Sequence, residues 1–115
     1  IDTCQEIAKI TGATLTFTED VMAATKGADV ISTDIWVSMG EPDDVWEERI
    51  KDLMPYRVDK KVMDNAGSQA VFMHCLPSFH DLNTTVGRQI YEQYGLKEME
   101  VTDEVFESPA SIVFQ

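Results

Sequence analysis

Residues 70–76 read Ala-Val-Phe-Met-His-Cys-Leu, an almost unbroken apolar run closed by Pro77. A short run of this kind suits a strand buried on both faces, the usual state of strands in parallel sheets sandwiched between helices. Parallel neighbours cannot be joined by a tight hairpin, so a helix normally crosses between them. The rest of the chain supplies that alternation. Residues 2–11 place Cys4, Ile7 and Ala8 at helical spacing, and Gly12 offers a stop. Residues 13–17 are short and β-branched, which predicts a strand. Thr18 is placed to cap the next helix, with Glu19 and Asp20 in its first turn and Gly27 after its end. Residues 28–33, centred on Val30 and Ile31, predict a second strand.

A loop then spans residues 34–42, and Pro42 suits the first turn of a helix. Val45, Trp46, Ile50, Leu53 and Met54 give that helix one apolar face, and Pro55 ends it. Residues 59–66 predict a further short helix. Residues 84–94 are amphipathic through Val86, Ile90, Tyr91 and Tyr94, with Gly95 as the stop. Residues 100–102 suit a last short strand, and residues 104–114 begin a turn or helix. The predicted fold is α/β: a Rossmann-like three-layer domain, its parallel sheet covered by helices on both faces and joined by right-handed crossovers. It has no Gly-x-Gly-x-x-Gly fingerprint, which argues against a dinucleotide ligand.

The 115 residues suffice for one domain with one core. A net charge of -12 repels phosphate backbones, so nucleic acid is not an expected partner. The three arginines, Arg49, Arg57 and Arg88, sit in no phosphate-cradling loop. No apolar run approaches the roughly 20 residues of a membrane span, and no signal or transit segment is visible. Cys4 and Cys75 are far apart and lack metal-ligand spacing, which suits a reduced, intracellular protein.

Ligands of open parallel sheets bind beyond the carboxyl ends of the strands. That rule selects the loop opening at Asp34 and the strand end at His74, Cys75 and Leu76. Asp34 can hold a cationic group through a charge-assisted bond, or simply bond the backbone of its own turn. Ser38, Met39 and Gly40 can present hydroxyl and backbone groups. The alternative is an ordinary surface loop, although Trp36 and Met39 call for something to cover them. His74 and Cys75 are adjacent on a strand and face opposite ways, which rules out a nucleophile–base pair. Cys75 alone reads most simply as a buried small hydrophobe. His80 and Asp81 lack further metal ligands at suitable spacing and suit a turn or cap. Glu47, Glu48, Arg49 and Lys51 read as a solvated helix face, and the acidic stretch 98–107 suggests no function.

Two strings carry a family resemblance. Residues 32–41, Ser-Thr-Asp-Ile-Trp-Val-Ser-Met-Gly-Glu, resemble the amine-side loop of ornithine carbamoyltransferases. Residues 72–77, Phe-Met-His-Cys-Leu-Pro, resemble their His-Cys-Leu-Pro motif. Aspartate carbamoyltransferases would carry His-Pro-Leu-Pro there. The segments Thr18-Glu19-Asp20, 26–30 and 104–109 agree, so the likeness covers essentially the whole chain. It implies transfer of a carbamoyl group from carbamoyl phosphate to the δ-amine of ornithine, with neither metal nor organic cofactor. By that resemblance Asp34, Ser38 and Met39 bind ornithine. Cys75 is catalytic, and Cys75 and Leu76 meet the carbamoyl group. His74, Pro77, Trp36 and Gly40 support the motifs.

The family's Ser-Thr-Arg-Thr-Arg, His-Pro-x-Gln and Glu-Asn-Arg segments are not in this sequence. The expectation is therefore an ornithine-binding domain over residues 1–115, truncated at both ends, lacking the carbamoyl-phosphate domain and inactive alone. The resemblance further implies a homotrimer or multiple of trimers for an intact enzyme. The expected location is the cytoplasm, or the mitochondrial matrix of a eukaryotic source. The competing readings are a carbamoyltransferase for putrescine or another amine, and a non-catalytic amino-acid-binding relative.

Overall fold

The structure, a computed structural model, describes residues 1–38 and 41–115. Among the described residues, six α-helices and two strands follow one another: α1 (Asp2–Thr11), α2 (Val21–Thr25), β1 (Val30–Thr33), α3 (Trp46–Leu53), α4 (Lys60–Ala66), β2 (Val71–His74), α5 (Thr85–Tyr94) and α6 (Asp103–Phe106). β1 and β2 pair in parallel, with Val30 opposite Val71 and Thr33 opposite His74. On its other side β2 is extended by a parallel bridge from Phe72 to Ser111. There Phe72 N–H donates to the Ala110 carbonyl at 2.9 Å, and Ile112 N–H donates to the Phe72 carbonyl at 3.0 Å. A second bridge, Val58 to Val101, joins the entry to α4 with the segment before α6.

Helix ends follow local chemistry. Gly12 closes α1 in the left-handed region (φ 80°), returning its N–H to the Ala8 carbonyl. Asp59 caps α4 by accepting from Val62 N–H at 3.0 Å, and Thr84 caps α5 by accepting from Gly87 N–H at 3.0 Å. The cap of α2 is Asp20 rather than Thr18. The Thr18 hydroxyl accepts from Asp20 N–H, and the Asp20 carboxylate, the stronger acceptor, takes Ala23 N–H. α3 is flanked by 3₁₀ turns, Asp43–Val45 before it and Met54–Tyr56 after it, the latter holding Pro55.

Two apolar clusters form. Ile31, Phe72, Val62, Met63, Val101, Val105 and Phe106 pack where α4 and α6 meet the sheet. Trp36, Val37, Trp46, Phe79, Ile90 and Met99 pack between the 34–38 segment, α3 and α5. Other sequence expectations also differ from this arrangement, and the strand expected at residues 100–102 is reduced to the single bridge at Val101. Residues 13–17 form no strand: they have no ladder partner among the described residues, and Leu15 and Phe17 stay exposed. Their backbone therefore gains nothing from extension. β2 is buried on alternate residues only. Phe72 and His74 point into the core, whereas Met73 is 44% exposed beside an exposed Val30, because the described helices pack on the Ile31–Phe72 face.

Gly87 lies in the first turn of α5, where helix propensity alone makes alanine better by about 1 kcal/mol. A Cβ there would stand 2.5 Å from the Asp81 carbonyl oxygen and 2.8 Å from Thr84 Oγ1, the cap itself. The clash is with backbone and wins. Gly87→Ala is expected to destabilise the chain by about 1–3 kcal/mol in urea unfolding; a gain in stability would refute this account of the α5 start.

Candidate amine-binding and carbamoyl-transfer site

The ladder ends at Thr33 and His74, so the next residues, Asp34 and Cys75, emerge side by side at the carboxyl edge of the sheet. The Cys75 thiol donates to Asp34 Oδ1 at 2.9 Å, and the same oxygen accepts from Ile35 N–H at 2.7 Å. The turn-bonding reading of Asp34 is seen directly. Its carboxylate bonds its own turn, and it also lies at the sheet edge against the second motif. The expectation of a buried Cys75 is corrected: the thiol is exposed, because β2 has ended and its side chain leaves the core for Asp34.

His74 turns the other way, as alternation requires. Its Nε2 meets Glu100 Oε1 at 2.8 Å and its Nδ1 meets the Cys75 carbonyl. Neither partner donates, so a ring that makes both bonds carries both protons. Glu100 is fully buried, and its Oε1 also accepts Phe79 N–H at 2.9 Å. One carboxylate thus fixes the ring of His74 and the chain just beyond the cis Leu76–Pro77 peptide. Leu76 is itself 54% exposed.

Trp36 is no uncovered loop residue. It is 4% exposed and packed in the second cluster, anchoring the loop to α3 and α5. Ser38 is exposed, and its N–H donates to Glu41 Oε2 at 2.6 Å. Met39 and Gly40 lie outside the described residues. Behind Ser38, a cleft of about 300 Å³ runs between Ile35, Val37, Trp46, Phe79 and α5.

This arrangement has counterparts. The family described as aspartate/ornithine carbamoyltransferase, Asp/Orn binding domain, matches residues 1–115. The chain belongs to the aspartate/ornithine carbamoyltransferase family. It is 64% identical over 110 residues to a catabolic ornithine carbamoyltransferase of Treponema denticola, covering 96% of this chain and 32% of that protein. It is 55% identical over 116 residues to an ornithine carbamoyltransferase of Staphylococcus aureus (strain Newman), covering 100% of this chain and 35% of that protein. The chain thus spans about a third of the length of these curated relatives. Among solved structures, the ornithine transcarbamoylase of Giardia lamblia superimposes with a TM-score of 0.73 at 28% identity, over 99% of this chain and 30% of that one. The ornithine carbamoyltransferase of Pyrococcus furiosus gives 0.66 at 35% identity, over 92% and 28%. The Rossmann-like α/β fold read from the sequence is that of these carbamoyltransferases.

Within this carbamoyltransferase domain, two residues escaped the sequence reading. Glu100 was hidden in an acidic stretch without evident function. Its one signal is its place between apolar Met99 and Val101, which puts a carboxylate in line for the core. Arg49 was read as part of a solvated face. It instead donates from Nη1 to the Trp36 carbonyl at 2.8 Å and from Nη2 to Glu41 Oε1 at 2.7 Å. The fold also gathers His80, Asp103 and Glu107, whose ligand atoms lie within 4.8 Å of one another, a set that sequence spacing did not reveal. His80 Nδ1 already meets Asp103 at 2.7 Å and its ring stacks on Phe106, which accounts for the His80–Asp103 part of the grouping. Asp81 plays the turn role read for it, accepting from Asn83 N–H at 2.9 Å. No helix is long and apolar enough to cross a membrane among the described residues.

The electrostatics suit binding rather than nucleophilic attack. The Cys75 hydrogen bond, then the Ile35 N–H, hold the Asp34 carboxyl below its usual range, so it stays ionised. The same bond to Asp34, then lost hydration and the repulsion of Asp34, push the Cys75 thiol up, so it stays protonated near neutral pH. Asp34→Asn is expected to bring the Cys75 pKa down, speeding its alkylation several-fold at pH 8, with the exposed Cys4 as internal reference. Equal rates in both proteins would remove the Asp34–Cys75 bond from this account.

Burial opposes the charged form of His74, but the bonds to Glu100 and the Cys75 carbonyl, together with the Glu100 charge, outweigh it and raise its pKa above 6.5. The unfolded ring titrates near 6.5, so this stabilisation is fully present below that pH. It is lost as pH rises through the higher folded-state value. Urea midpoints of the wild type should therefore fall as pH rises from 6.5 through the higher folded-state value, and His74→Gln should flatten that slope. A slope unchanged in the variant would assign the pH dependence elsewhere.

Proposed function

We propose that residues 1–115 are the ornithine-binding domain of an ornithine carbamoyltransferase, with the carbamoyl-phosphate domain elsewhere in a longer protein. The observation that carries this reading is the Asp34 carboxylate taking the Cys75 thiol at 2.9 Å, at the carboxyl edge of two parallel strands. Asp34 binds the α-ammonium of ornithine through a charge-assisted bond. Both described bonds to Asp34 fall on Oδ1, which leaves Oδ2 for the substrate. Ser38 and Met39 hold the same end of the amino acid, and Trp36 keeps their loop seated in the core.

The δ-amine attacks in its neutral form. A bond forms between that nitrogen and the carbonyl carbon of carbamoyl phosphate, giving a tetrahedral intermediate. The carbon–oxygen bond to phosphate then breaks, and the leaving phosphate keeps the electron pair and takes the proton that the nitrogen gives up. The products are citrulline and phosphate. Cys75, as a neutral thiol, and the Leu76 carbonyl lie where the carbamoyl group meets the amine, and they orient it by hydrogen bonding. Cys75 forms no covalent intermediate in this scheme. The rate enhancement comes from positioning and from fixed dipoles at the strand ends. His74 and Glu100 act behind this edge by fixing the Cys75 carbonyl. An intact enzyme of this kind assembles as a trimer or a multiple of trimers.

Citrulline formation by the full-length protein, given carbamoyl phosphate and in turn ornithine, putrescine and aspartate, tests the reading. Turnover is expected with ornithine. Loss of a hydrogen bond to a charged group, about 1.5–3 kcal/mol, predicts a roughly 10- to 150-fold fall in kcat/KM for Asp34→Asn. Turnover with putrescine instead would keep the reaction and replace the substrate; none with any amine would end the enzymatic reading.

A further inference from the structure

We propose that Arg49, on α3, is a positioning residue that sets the affinity for the amino-acid substrate by tying Trp36 and, through Glu41, Ser38 to that helix. The proposal rests on the ornithine reading above. One guanidinium reaches both Trp36 and Glu41. Nη1 donates to the Trp36 carbonyl at 2.8 Å, and Nη2 donates to Glu41 Oε1 at 2.7 Å. Glu41 passes the hold inward, because its other oxygen accepts Ser38 N–H at 2.6 Å. The chain Arg49–Glu41–Ser38 therefore fixes the peptide that presents Ser38, four residues after Asp34. No described hydrogen bond uses the Ser38 hydroxyl, and the residue is exposed. Arg49 makes no described bond to Asp34 or Cys75, so it acts on the substrate only through the loop.

An isolated surface ion pair would carry little weight, and the side chains of Arg49 and Glu41 are 40% and 30% exposed. Three features separate this contact from such a pair. The guanidinium is held by two acceptors of different kinds, one of them a backbone carbonyl. The carboxylate is likewise held on both oxygens. The tryptophan whose carbonyl is clamped has its ring buried in one cluster with Trp46, the first residue of the helix that carries Arg49. Backbone and ring are thus tied to the same helix, and a loop held at this many points presents its groups without an ordering cost on binding. Lysine carries the charge but has no fork to span both acceptors.

Steady-state kinetics of the full-length protein test the clamp. Arg49→Ala is expected to raise the ornithine KM about tenfold, leaving the KM for carbamoyl phosphate and the melting temperature unchanged. Arg49→Lys should fall between it and wild type, and Glu41→Gln, which keeps an acceptor for Ser38 N–H, should raise the same KM less. An ornithine KM within about twofold of wild type in Arg49→Ala overturns the proposal, as does a parallel rise in both KM values, the mark of general loosening. Should the wild type turn over no ornithine, the substrate reading falls separately. The clamp is then decided by amide exchange at Ser38: about tenfold faster exchange in Arg49→Ala sustains it, and an unchanged rate overturns it.

Discussion

Parallel pairing of Val30–Thr33 with Val71–His74 sets what the rest of the molecule can do at this edge. In a parallel ladder both strands point the same way, so the residues that follow them leave the sheet together. Asp34 and Cys75 are 41 positions apart in sequence and share a hydrogen bond because Thr33 stands opposite His74. A slip of one residue in either strand would reverse which side chains face the core. Ile31 and Phe72, both buried, resist that slip, and the hydrophobic pattern thereby maintains the polar one.

Behind that edge stands a buried histidine–carboxylate pair in a place that disfavours charge. Taking His74 and Glu100 from water is costly, and two well-packed apolar residues would fill the same volume with less penalty. What the pair contributes is geometry. Glu100 Oε1 accepts both His74 Nε2–H and Phe79 N–H, so the end of β2 and the chain after Pro77 share one anchor. Removing one partner would strand the other in the core, and that one-sided penalty makes the arrangement specific.

Much of this fold was legible beforehand because the signals were local. α1, α4 and α5 begin or end at residues that sequence chemistry marks: Gly12, Asp59, Thr84 and Gly95. Both site loops followed from strand direction alone. What stayed hidden was non-local. Whether residues 13–17 extend depends on a ladder partner, and their composition contains no information about one. Trp36 in a loop and Arg49 on a polar helix face look unrelated until the chain folds 13 residues back on itself to join them. Glu100 looked like one more carboxylate in an acidic run. Its role required His74, 26 positions away, and no periodicity connects the two.

The two apolar clusters meet the candidate site from different sides. β1 and β2 belong to the cluster around Phe72, whereas the loop beyond Ile35 belongs to the one around Trp46 and Ile90. Asp34 is one link between them in the chain, one residue after the sheet and two before a tryptophan seated in the other cluster; Glu100, between Met99 and Val101, is another. The site therefore sits on a seam. A substitution that resizes one cluster, far from the site, would alter how far the 35–38 segment stands from the strand ends. In such a molecule, core volume sets the width of a surface seam.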